Sequence, residues 1–146
     1  MGNACCSVEK FEPGSDAAVR DFLSRAAQGV TMAVVLQDGS DLACKMFIDT
    51  VEQKITIKCE EKARIITFSG IKNLLSTPTQ LKRVETKANL TTETSVVGVH
   101  LFKTESCIPI KLTSAEEKVN FLAAMKTFGV PPPRSEQRKS SAHQRP

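Results

Sequence analysis

The chain has 146 residues, of which 40% are hydrophobic and 25% charged, the balance of a soluble fold with one core rather than a disordered chain. The length fits a single domain, and no uninterrupted apolar run approaches the ~20 residues of a spanning helix. The net charge of +4 sits mostly in the tail, where Arg134, Arg138, Lys139 and Arg145 face only Glu136, so the near-neutral body does not read as a nucleic-acid surface.

Seven Phe are the only aromatics, which leaves few platforms for stacking bases. Five cysteines are present but no secretory signal pattern. Cys44, Cys59 and Cys107 lie singly in or beside apolar runs, so free thiols in a reducing compartment are expected.

Residues 1–14 are short of apolar side chains, end in Pro13-Gly14, and read as an arm. Ser15 suits the N-cap of a helix opening at Asp16, with Val19, Leu23 and Ala26, flanked by Ala18 and Phe22, as its apolar stripe and Gly29 as its end. From Val30 to Leu112 the period becomes two. Strands are expected at 30–37, at 42–48 after the turn Asp38-Gly39-Ser40, at 55–59, and at 63–68. Residues 71–79 are weakly patterned, with a loop marked by Pro78 and its neighbours, and 80–86 reads as a short strand. Val97, Val99 and Leu101 mark the next strand, Ile108, Ile110 and Leu112 the last, which Pro109 places at a sheet edge or bulge.

Ser114-Ala115-Glu116-Glu117 has capping-box spacing and opens a second helix, with Ala115, Val119, Leu122 and Ala123 as its expected core stripe. Phe121, Met125 and Phe128 form an adjoining stripe, which either completes the core or is left apolar for docking. Gly129 and Pro131-Pro132-Pro133 end this helix. The expected organisation is an arm at 1–14, a domain at 15–130 and a basic disordered tail at 131–146. Helix, about seven short antiparallel strands and helix is the element order of a pleckstrin-homology-like domain. Such a domain is a mainly β, partly open barrel or sandwich capped by its C-terminal helix.

The amino terminus carries the clearest chemistry. Gly2 follows Met1, as N-myristoylation requires, although the serine expected at the sixth position stands one residue later as Ser7. Cys5 and Cys6 are adjacent thiols on the same arm. One myristoyl chain binds a membrane only marginally, at roughly 10⁴ M⁻¹, while each buried CH₂ of a second chain adds about 0.8 kcal/mol. Gly2 as the myristoyl site and Cys5 and Cys6 as S-palmitoyl sites therefore make a two-signal anchor. The basic tail either adds attraction to anionic lipid, about 1 kcal/mol per cation near the surface, or only solubilises the chain end.

No catalytic constellation is expected. His143 lies in the tail and His100 on the face opposite Val97, Val99 and Leu101, read as solvent-facing. No Cys or His pair has structural-zinc spacing, and no glycine loop suits a nucleotide, so neither metal nor cofactor is expected.

The Met1-Gly2-Asn3-Ala4-Cys5-Cys6-Ser7 start followed by one such domain resembles the inner membrane complex sub-compartment proteins of apicomplexan parasites, with the third named member nearest. The resemblance implies acylation at Gly2, Cys5 and Cys6 and peripheral attachment on the cytoplasmic side of the flattened sacs of the pellicle. It also implies a scaffold role, through protein partners, in compartment organisation and daughter-cell formation. Phosphoinositide-binding members of the wider fold carry clustered cations around the first strand-turn-strand. Here Val30–Asp49 holds Lys45 alone against Asp38, Asp41 and Asp49, which argues against headgroup recognition. The alternative is a lipid-headgroup reader using Lys45, Lys54, Lys58 and the tail.

Overall fold

The computed structural model describes residues 11–130, apart from positions 83, 85 and 105. Gly2, Cys5, Cys6, His143 and the basic tail lie outside the described residues. Helix α1 (Asp16–Gln28) opens with Ser15 accepting from the Ala18 N–H, as expected of an N-cap, and buries Ala18, Phe22 and Ala26. Gly29 closes it at φ +106°, where a Cβ would also stand 2.7 Å from the Phe47 ring. Both constraints demand glycine.

Seven strands follow: β1 (Val30–Val35), β2 (Asp41–Asp49), β3 (Lys54–Cys59), β4 (Lys62–Thr67), β5 (Ile71–Leu75), β6 (Val96–Leu101) and β7 (Cys107–Lys111). They form one antiparallel sheet in the order β4-β3-β2-β1-β7-β6-β5, open between its two outer strands. Helix α3 (Ala115–Thr127), capped by Ser114 accepting from the Glu117 N–H, covers one end of the curled sheet beside α1. The fold is thus the expected open, seven-stranded sheet with flanking helices.

Four local expectations are corrected. The fifth strand is Ile71–Leu75, not 80–86, where Thr77 and Gln80 form a capping box that opens the short helix α2 (Pro78–Leu81). Leu74 and Leu75 are both buried, Leu74 in the main core and Leu75 in a second cluster with Val35, Leu81, Val84, Leu90 and Val96. A strand covered on both faces shows no alternation. The last strand is interior, not an edge: β7 lies between β1 and β6. Its pairing with β1 stops at Val34↔Ile110, so Pro109 falls where the β1 ladder has already ended.

The inward stripe of α3 is Phe121, Ala124 and Met125, joined by Asn120, while Ala115 is exposed and Val119 is 43% exposed. The Phe121–Met125 stripe is therefore core, with the Phe121 ring edge-on to Phe22 at 6.3 Å between centroids. Finally, Cys44 and Cys59 form a disulfide across β2 and β3, their Cα atoms 4.5 Å apart. The register Lys45↔Lys58 sets the two cysteines opposite each other on the inner face. The expectation of free thiols holds only for Cys107 among the described cysteines, and the reducing-compartment reading loses that support.

Candidate functional site

Residues 12–15 form a turn at the start of the described chain. The Ser15 N–H donates to the Glu12 carbonyl at 3.0 Å, closing a turn through Pro13 and Gly14. The Gly14 N–H donates to Asn120 Oδ1 at 2.8 Å, which ties the turn to α3. Asn120 Nδ2 in turn donates to Glu117 Oε2 at 3.1 Å. Arg25 of α1 grips the same carboxylate with both terminal nitrogens, at 2.7 and 3.1 Å, and reaches Asp21 with Nε at 2.9 Å. The Arg25 hydrogen bonds hold the Glu117 carboxyl below its usual range, and Glu117 raises the Arg25 guanidinium in turn. Asn120, Glu117 and Arg25 thus hold the turn at Gly14 against α3 and α1. Asn120 escaped the sequence reading, although a polar residue between Val119 and Phe121 in a helix was the available signal.

The first hairpin is acidic and self-satisfied. Asp38 accepts from the Ser40 hydroxyl at 2.6 Å and its N–H at 2.9 Å, bonds that keep its carboxyl below the usual range. Lys111 pairs with Asp41 at 3.2 Å and Glu93 at 3.5 Å, and Lys54 with Glu52 at 2.9 Å. Of the three lysines offered as headgroup ligands, Lys54 is therefore already engaged and lies opposite Asp49. Lys45 and Lys58 face each other across β2 and β3, on the outer face and not at the hairpin turn. Like charges so placed repel in the absence of an anion.

Beside the root of the first hairpin the inner face opens into a cavity of about 470 Å³. Val34, Leu42, Ile57 and Ile108 supply apolar walls, and Lys62 and Arg64 of β4 supply the only charges. A larger groove of about 710 Å³ runs between α1 and the β2–β3 turn, edged by Leu23, Phe47 and Phe128. Phe128, the last member of its stripe, also stacks at a tilt on Phe68, 5.3 Å between centroids.

The remaining candidates show no reactive arrangement. His100 is half-buried and bonded to Asn73 Oδ1 at 3.3 Å, its partner across the β5–β6 ladder, rather than solvent-facing. Cys107 is pushed up to about 12 by burial, which keeps the thiol protonated and unreactive. Its Sγ lies 2.7 Å from where a Cβ on Gly98 would stand, so that glycine makes room for it. Among the described residues no group of three or more His, Cys, Asp or Glu is placed to hold a metal, and no helix is long and apolar enough to cross a membrane.

Residues 21–127 match the family described as ISP1 C-terminal. The chain is similar to inner membrane complex sub-compartment protein 1 of Toxoplasma gondii, at 36% identity and a TM-score of 0.75. That match covers 82% of this chain and 96% of the other. Similarity to sub-compartment protein 3 of the same organism is 19% at a TM-score of 0.63, covering 77% and 83%, and speaks for the fold alone. None of the curated proteins compared matches the chain. The expectation that the third member stands nearest is therefore overturned by both the family match and the higher identity to the first. The chain belongs to the ISP1 C-terminal family.

Proposed function

We propose that this protein is a membrane-anchored scaffold of the parasite inner membrane complex, held by a myristoyl group on Gly2 and palmitoyl groups on Cys5 and Cys6. Its domain presents a protein-binding surface and supports compartment organisation and daughter-cell formation. The observation that carries this reading is the family match over 21–127, joined to a sequence that starts with the glycine and paired thiols of a two-signal anchor. Myristate brings the arm to membranes transiently, and palmitate added there makes release slow and fixes the address.

The headgroup-reading alternative is disfavoured by the engaged Lys54 and by the acidic first turn. Membrane fractionation of parasites expressing the full chain with Gly2→Ala tests the anchor. The variant is expected in the soluble fraction, and Cys5→Ser with Cys6→Ser is expected to bind weakly and without one address. Tight attachment of the Gly2→Ala protein would contradict the reading.

A further inference from the structure

We infer that the free edge of β4 takes up an extended acidic segment of a partner protein as an eighth strand. The inference rests on the scaffold reading above and names the patch and the partner's chemistry. Strand β4 ends the sheet and is paired on one side only. The Phe68 N–H donates to the Gln53 carbonyl at 2.9 Å, which sets the alternation of the β3–β4 ladder. By that alternation Lys62, Arg64 and Ile66 direct their backbone groups at β3, and Ala63, Ile65 and Thr67 direct theirs outward. Three residues with outward N–H and C=O groups, free of proline or bulge, form a template for another strand.

The side chains say which strand it is. Lys62 and Arg64 stand on the inner face beside the 470 Å³ apolar cavity, and Lys45 and Lys58 on the outer face behind Ala63. None of these four cations makes an ion pair among the described residues. The acids nearest in sequence are Glu60 and Glu61, in the turn that joins β3 to β4. A second copy of this chain is a poor occupant, because pairing β4 with β4 brings the same cations together. The chain's own tail is basic as well. Ile65, 61% exposed on the outer face, offers an apolar contact next to the charges. The edge therefore fits a segment in which carboxylates alternate with β-branched apolar residues.

Nuclear magnetic resonance on the isotope-labelled, unacylated full chain tests this, with a synthetic peptide alternating glutamate and valine as the probe and its lysine–valine counterpart as the control. The acidic peptide is expected to shift and protect the Ala63, Ile65 and Thr67 amides, and to weaken with added salt. Lys62→Glu with Arg64→Glu should weaken it about tenfold, the effect of losing two partly exposed charge pairs. Ile65→Pro, which deletes an outward N–H and is tolerated on an edge, should abolish it. If that variant does not fold, the charge-reversed pair decides. No response of the three amides at millimolar peptide, equal binding of the lysine peptide, or full binding by the charge-reversed protein would overturn the inference. None of those outcomes would alter the fractionation of Gly2→Ala, so the anchor and the edge fail separately.

Discussion

Glu117 is the residue on which the arm's root turns, since it accepts from Arg25 and Asn120 while Asn120 accepts from Gly14. Its folded pKa lies below the unfolded value of about 4.3, so the stabilisation is complete above that value and is lost as pH falls through the folded one. Glu117→Gln should cost about 1–2 kcal/mol at neutral pH, from the weakened charge-assisted bonds. The difference in Tm between the two proteins should shrink as pH falls below about 4. A difference that stays constant from pH 7 to pH 3 would deny Glu117 this role. The caps at Ser15 and Ser114 were legible because their partners lie three residues on. The Cys44–Cys59 disulfide and the tie from Gly14 to Asn120 were not, because each joins residues that only the tertiary register brings together.

Among the elements, α3 separates packing from pattern most sharply. Phe121 is fully buried and Val119, two residues earlier, is 43% exposed, although either could head an apolar stripe at helical spacing. Phe121→Ala should therefore destabilise by about 3–5 kcal/mol in denaturant unfolding, and Val119→Ala by less than about 0.5 kcal/mol. Equal effects would mean that the helix presents a different face to the sheet. Strands with one covered face, β2 and β3, were read from their alternation. Strand β5 was missed because the main core and the second cluster cover both its sides. The interior place of β7 was missed because the limit of its pairing with β1 depends on how the sheet curls.

At the scale of the whole molecule, element order alone carried the fold class, since helix, seven strands and helix close only a few antiparallel arrangements. The sheet remains open at β4, whose Lys62 and Arg64 share the cavity with Val34 and Leu42 at the root of the first hairpin. In the proposed account, anchor and docking surface are separate parts of one chain: lipid would fix where the module sits, and the sheet edge would offer what it holds there. The patch was illegible in the sequence, because Lys45, Lys58, Lys62 and Arg64 come together only through strand register.

The central claim is the two-signal anchor, and the mass of the amino-terminal peptide of the protein isolated from its own cell tests it most directly. The account predicts a myristoyl group on Gly2 and at least one hydroxylamine-sensitive palmitoyl group on Cys5 or Cys6. An unmodified Gly2 beside free Cys5 and Cys6 thiols would contradict it.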